Sequence, residues 1–153
     1  MQAFRGEFTE HDWHHTFGGT HALVWRHDEL IGHASLVARR LTHRGIVMRA
    51  GYVEAVAVRA DLRGRGHGSS LMGELERLIR RHYDLGALSA TDEAAAFYLA
   101  RGWQQWRGAT SVNTPAAVTP TPDDDGGVYV LPGRAHLDLD AEISCEWRGG
   151  DVW

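Results

Sequence analysis

Lysine is absent from the 153-residue chain, so its basic side chains are arginine and histidine. This excludes a phosphate-binding P-loop of the form GxxxxGK[ST], whose lysine reaches the phosphates. Cys145 is the only cysteine, which excludes an internal disulfide and favours a cytoplasmic setting. No run approaches the roughly 20 apolar residues of a membrane helix. The opening MQAFRGEF lacks the apolar segment of a signal peptide, so no membrane partner is expected.

Acidic side chains outnumber basic ones, with 20 aspartates and glutamates against 16 arginines and a formal net charge of −4. A nucleic-acid-binding protein would present a basic face, so no nucleic-acid partner is expected. The acids are concentrated late in the chain, at Asp123, Asp124, Asp125, Asp138, Asp140, Glu142, Glu146 and Asp151. Such a cluster forms either a solvated face or an anionic funnel for a cationic substrate.

The segment 52–70, YVEAVAVRADLRGRGHGSS, combines three features that together favour phosphate binding. Tyr52–Val58 is rich in β-branched residues and predicts a strand. Gly64–Gly68 holds three glycines, and the apolar spacing after it predicts a helix to about Tyr83. Glycines let a phosphate approach the backbone, and the first turn of a helix offers unpaired N–H groups at its positive end.

The glycine spacing distinguishes the remaining phosphate-binding motifs. A dinucleotide-binding GxGxxG is excluded, because its third glycine falls on Ser69 or Leu71. Arg63–Gly68, RGRGHG, fits R-x-x-G-x-G instead. This hexapeptide resembles the loop that binds the pyrophosphate of acyl-coenzyme A in the GNAT N-acetyltransferases.

The remaining pattern predicts a single α/β domain over residues 1–153. A loop at 115–125 is long enough to suggest a function. The predicted elements are a helix at 4–17, strands at 21–25, 30–38 and 52–58, a helix ending near 83, a buried strand at 86–90, a helix between 91 and 102, and strands at 103–106, 128–131 and 143–147.

Four segments carry a closer resemblance: GYVEAVAVRADLRG, YDLGALSATDEAAAFYLARGWQQW, TPTPDDDGGVYVLP and CEWRGGDVW. Together they resemble the aminoglycoside 2'-N-acetyltransferases from about Phe8 to Trp153. The resemblance implies a GNAT fold, a mixed central sheet flanked by helices. It also implies acetyl-coenzyme A as co-substrate, an aminoglycoside or other polycationic amine as acceptor, antibiotic resistance and a homodimer. The family opens with an additional strand and helix, so the first strand and most of the first helix are expected to be missing here.

The resemblance also assigns catalytic roles. Glu54 matches the glutamate that acts as general base through an ordered water, and otherwise it is an exposed acid on a strand. Val56 would offer its backbone N–H to the thioester carbonyl. Tyr98 matches the tyrosine that protonates the departing thiolate, and otherwise it is a core aromatic residue.

Binding residues follow from the same match. Coenzyme A would contact the end of the central strand and the glycine loop, at Val56, Val58, Arg63, Arg65, Gly66, His67, Gly68 and Ser69. The aminoglycoside would contact Asp12, Ala55, Ser89, Asp124, Asp151 and the carboxylate of Trp153. Ala55 stands where relatives often carry glycine. Loss of the last two residues is expected to damage turnover and leave stability unchanged.

Other functions stay open from the sequence alone. His11, His14 and His15 have the helical spacing of a zinc pair, but no further ligand supports a metal site, so none is expected. The alternatives to an aminoglycoside enzyme are an acetyltransferase for another amine (a polyamine, a small metabolite or a protein N-terminus) and a non-catalytic acyl-coenzyme A-binding module.

Overall fold

The computed structural model describes residues 16–153. Residues 4–15 of the predicted first helix, with Asp12 and the three histidines named above, lie outside the described residues. The elements are β1 (Thr20–Arg26), β2 (Glu29–His43), β3 (Ile46–Val58), α1 (His67–His82), β4 (Leu85–Ser89), α2 (Asp92–Leu99), β5 (Gln104–Gln105), β6 (Thr110–Asn113), β7 (Val118–Pro120), β8 (Val128–Pro132) and β9 (Ile143–Glu146), with single 3₁₀ turns at Ala60–Leu62 and Pro122–Asp124.

All nine strands of this part of the chain belong to one mixed sheet, in the order β5-β8-β4-β3-β2-β9-β6-β7, with β1 pairing β2. The pairs β3–β4 and β6–β9 are parallel, and the others are antiparallel. Residues that alternate along a strand face opposite sides of the sheet. Val53 accordingly packs with Leu75 of α1, and Tyr52 packs with Trp106 in a second core. The predicted mixed sheet flanked by helices is confirmed.

Several element boundaries differ from those predicted. β2 and β3 are longer than expected, because buried Arg39 and His43 interrupt the apolar pattern of β2 without interrupting its pairing. The long loop predicted at 115–125 contains β7 and a 3₁₀ turn. β6 was not predicted, since its TSVN sequence carries a single large apolar residue.

β3 carries a bulge near its C-terminal end. His33 pairs with Ala57 and Ser35 with Glu54, so two residues of β3, Ala55 and Val56, lie opposite one residue of β2. Ala55 has φ +53°, in the left-handed region that favours glycine. The β3–β4 ladder ends at the pair Tyr52–Ala87, so the two strands separate just before the bulge.

Within residues 16–153 no helix is long and apolar enough to cross a membrane.

Candidate active site

A cleft of about 470 Å³ lies where β3 and β4 separate. Its walls are residues 52–57 of β3, residues 88–91 after β4, Ala94 and Tyr98 of α2, and Trp153 from the C-terminal segment. The three predicted catalytic residues, Glu54, Val56 and Tyr98, therefore line one cavity, together with three of the residues predicted to bind the aminoglycoside, Ala55, Ser89 and Trp153. Two distant parts of the sequence, the central strand and the end of the chain, meet there.

Glu54 lies on the wall of this cleft with only 15% of its side chain exposed. Its Oε1 accepts a hydrogen bond from Arg148 Nη1 at 2.5 Å, in an ion pair whose arginine is equally sheltered. A carboxylate in such a position is costly to bury unless it is paired. The structure thus shows a sheltered carboxylate in a cavity and not an exposed acid on a strand.

Side chains of β2 hold the bulge that carries Glu54. Ser35 Oγ donates to the Glu54 carbonyl at 3.2 Å, and His33 Nδ1 donates to the Ala55 carbonyl at 3.2 Å. Because a carbonyl can only accept, the second ring nitrogen of neutral His33 accepts from His21 Nδ1, 2.9 Å away. Burial lowers the pKa of His33 and so favours this neutral form. The backbone beside Glu54 is therefore fixed by two side-chain hydrogen bonds.

Tyr98 belongs to the core and to the cleft at once. Its side chain is 8% exposed and its ring packs edge-on against those of Phe97 and Trp103. It also lines the same cavity as Glu54. Burial raises the pKa of the Tyr98 phenol, which keeps the group in its protonated form.

The glycine loop turns into α1 through residues in left-handed conformations. Gly64 has φ +72°, and Gly66, the N-cap residue of α1, has φ +86°. The first intrahelical bond runs from Ser70 N to the Gly66 carbonyl at 3.0 Å. The N–H groups of residues 67–69 thus precede the hydrogen-bonded ladder, as an anion site requires. Arg63 Nε donates to the Val58 carbonyl at 3.0 Å, so this arginine also shapes the loop itself.

Two of the eight late acids, Asp124 and Asp151, lie close to each other in segments that Trp153 of the cleft wall joins. Burial raises the pKa of Asp124, and the nearby carboxylate of Asp151 raises it further, against an opposing hydrogen bond from Thr121. The Trp153 indole Nε1 donates to Thr121 Oγ1 at 3.0 Å. Ser89 is exposed at the end of β4 on the cleft wall. The structure therefore brings the DDD loop and the C-terminal segment together, as the paired motifs suggested.

Sequence reasoning missed the residues that hold these parts in place. Arg148, Arg39, His33 and Ser35 all contact backbone or side-chain oxygens of the site. Little in the sequence indicated their role, because each is a polar residue in a strand or in the C-terminal segment and belongs to no local motif. Among residues 16–153 there is no group of three or more histidine, cysteine or acidic side chains placed to hold a metal ion.

Comparison with known proteins agrees with this geometry. The acetyltransferase (GNAT) domain family matches residues 1–106, and the chain belongs to the GNAT acetyltransferases. A curated aminoglycoside 2'-N-acetyltransferase from Mycolicibacterium fortuitum is 52% identical over 157 residues, an alignment that covers 100% of this chain and 80% of the relative. Within the GNAT acetyltransferases, the chain therefore belongs to the aminoglycoside 2'-N-acetyltransferases.

Solved structures show the same fold. A GCN5-related N-acetyltransferase from Kribbella flavida aligns with a TM-score of 0.51 and 25% identity, over 58% of this chain and 23% of that one. The Eis1 protein from Mycobacterium abscessus aligns with a TM-score of 0.54 and 21% identity, over 65% of this chain and 28% of that one. The chain spans about a quarter of the length of these two proteins. The likeness confirms the predicted GNAT fold.

Proposed function

We propose that this protein transfers the acetyl group of acetyl-coenzyme A to the 2'-amine of aminoglycoside antibiotics and thereby confers resistance. The observation that carries the proposal is a sheltered carboxylate, Glu54, on the wall of a cleft whose Trp153 joins the two segments that bear Asp124 and Asp151. We call these two acids the acidic rim. The rim suits a polycation, and the carboxylate suits removal of a proton from one of its ammonium groups. The similarity to the Mycolicibacterium fortuitum enzyme supports the same acceptor.

The reaction needs a neutral amine, because an ammonium group has no lone pair with which to attack a thioester. Glu54 takes the proton, through a water molecule as the resemblance implies. The amine then bonds to the acetyl carbonyl carbon, and the C–S bond breaks. Val56 lies in the bulge, where β3 has left β4, and we assign its backbone N–H to the carbonyl oxygen. One such donor contributes about 3–4 kcal/mol. Tyr98 gives its phenolic proton to the departing thiolate, and the second proton that the nitrogen loses as the amide forms restores the phenol.

The co-substrate would lie along β3 and its loop. Val56 and Val58 lie on the edge of β3 that β4 leaves open, and this edge would contact the pantetheine arm. In this assignment the pyrophosphate contacts the first N–H groups of α1 and three loop residues, Arg63, Arg65 and Gly66. The predicted homodimer, the cytoplasmic setting and the absence of nucleic-acid and membrane partners stay predictions.

A glycine substitution tests the loop. Gly66→Val is expected to weaken acetyl-coenzyme A binding, because a β-branched residue strains the left-handed backbone and obstructs the pyrophosphate. Gly45→Val is the matched control, since Gly45 has φ +77° and open space around it but lies at the β2–β3 turn. Calorimetric titration with acetyl-coenzyme A measures both. Equal cofactor affinity in the two folded variants would refute the loop assignment.

The function itself is tested by thiol release. Purified protein with acetyl-coenzyme A and tobramycin or gentamicin is expected to release free coenzyme A and give the mono-acetylated drug. Mass spectrometry with fragmentation locates the acetyl group. Acetylation at another amine would correct the position, and release of thiol only with small neutral amines would overturn the proposed substrate class.

Asp124 and Asp151 should govern capture of the polycation. Asp124→Asn and Asp151→Asn are each expected to raise KM for the aminoglycoside and leave KM for acetyl-coenzyme A nearly unchanged.

Because the pKa of Asp124 is raised, it takes up a proton at higher pH than an ordinary aspartate. The aminoglycoside KM of the wild type should therefore rise as pH falls, and less so in Asp124→Asn. Salt should raise KM as well. A salt-insensitive KM would favour a neutral amine.

A further inference from the structure

Arg148 is the residue that joins the base to the C-terminal segment. Its guanidinium makes three hydrogen bonds, from Nη1 to Glu54 Oε1 at 2.5 Å, from Nε to the Asp151 carbonyl at 2.7 Å and from Nη2 to the Trp153 backbone oxygen at 3.3 Å. Each nitrogen thus serves a different acceptor. The side chain is 16% exposed and its guanidinium carbon lies 5.5 Å from the centre of the Tyr52 ring. A planar fork of donors fits this arrangement, whereas the single ammonium of a lysine does not.

Other contacts hold the C-terminal segment independently of Arg148. Arg39 Nη2 donates to the Glu146 carbonyl at 3.0 Å and to the Val152 carbonyl at 2.7 Å. The Trp153 indole is bonded to Thr121 and packs in the core beside Tyr52. The segment therefore stays attached to the sheet without Arg148. What Arg148 adds is the link between this segment and the carboxylate of Glu54.

We propose that Arg148 is a positioning residue that holds Glu54 and the substrate-binding segment 148–153 as one unit. The inference rests on the proposed function, since it assumes that Glu54 is the base and that Asp151 binds the acceptor. Removing Arg148 leaves a sheltered carboxylate without its cation and frees two backbone oxygens. Glu54 is then free to adopt other rotamers, and the backbone that carries Asp151 loses its hydrogen bond to Arg148. One substitution therefore damages both turnover and acceptor binding.

The test is a double-mutant cycle between Arg148 and Glu54. Arg148→Ala is expected to lower kcat and to raise the aminoglycoside KM, each by about tenfold to a hundredfold. A change of this size corresponds to the loss of charge-assisted hydrogen bonds. In the Glu54→Gln background, Arg148→Ala should change kcat no further, because it acts on kcat through Glu54. It should still raise the KM, and calorimetric titration with tobramycin should show the same loss. Arg148→Lys should recover part of kcat and little of the KM.

Arg40→Ala is the matched control, because Arg40 forms a salt bridge with Glu146 at 3.1 Å and makes no contact with Glu54 among its described bonds. It should leave kcat and both KM values unchanged. Independent, additive effects of Arg148→Ala and Glu54→Gln on kcat would overturn the inference, as would a lower aminoglycoside KM in Arg148→Ala. A wild-type protein that binds tobramycin without acetylating it would overturn the proposed function instead.

Discussion

Glu54→Gln is expected to lower aminoglycoside turnover by about 10²–10⁴-fold, the contribution of a positioned general base. The amide oxygen of glutamine can still accept the hydrogen bond that Arg148 Nη1 donates, so the shape of the site is kept while the base is lost. Acetyl-coenzyme A affinity should therefore stay near the wild-type value. Steady-state kinetics with tobramycin and calorimetric titration with acetyl-coenzyme A measure the two effects separately.

Glu146→Gln provides the control for this substitution. Glu146 also forms a salt bridge with an arginine, Arg40, but it lies on β9 away from the cleft walls. Its replacement should leave turnover unchanged, since a partly exposed ion pair contributes little. Wild-type turnover in Glu54→Gln across the pH range would show that another group removes the proton. The sheltered pair with Arg148 would then have a purely structural role.

The order of elements around the central strand followed from local sequence patterns. The β-branched run at 52–58, the glycines and the amphipathic helix after them each act over a few residues, so their order could be predicted. The bulge could not, because the backbone angle of Ala55 depends on how β3 pairs with β2. The only local sign of the bulge in the sequence was Ala55, which stands where relatives often carry glycine.

A site residue could be predicted where a single side chain carries the chemistry. It could not be predicted where its role depends on a contact with a residue far away in the sequence. Glu54 was identified because an acid on an apolar strand is uncommon. Arg148 and Arg39 were missed because their partners lie 94 and 113 positions away, at Glu54 and Val152. Spacing within a motif gives no information about such pairs. Only the folded sheet brings the C-terminal segment against β2 and β3.

One expectation for the C-terminal segment conflicts with the burial of Trp153. Loss of its last residues was expected to leave stability unchanged, yet the Trp153 side chain is 5% exposed and packs with Tyr52, Trp106 and Val128. A buried tryptophan cannot be removed without leaving a cavity. The end of the chain is therefore part of the core as well as part of the cleft wall.

Trp153→Ala is consequently expected to lower the free energy of unfolding by about 3–5 kcal/mol, the usual cost of removing a buried tryptophan. It should also raise the aminoglycoside KM, because the indole lines the cleft and ties the segment that bears Asp151 to Thr121. Urea unfolding measures the first effect, and kinetics at low temperature, where the variant stays folded, measure the second.

Trp147→Ala is the matched control for this substitution, since Trp147 lies in the same segment but is 56% exposed. A substitution at such a surface position should change the free energy of unfolding by no more than about 0.5 kcal/mol and leave the KM unchanged.

Trp153→Phe keeps most of the apolar packing and removes the indole N–H. It should cost about 0.5–1.5 kcal/mol, the net value of one hydrogen bond. Equal stability losses for Trp153→Ala and Trp147→Ala would contradict a core role for Trp153, and an unchanged KM in Trp153→Ala would remove this residue from the acceptor site.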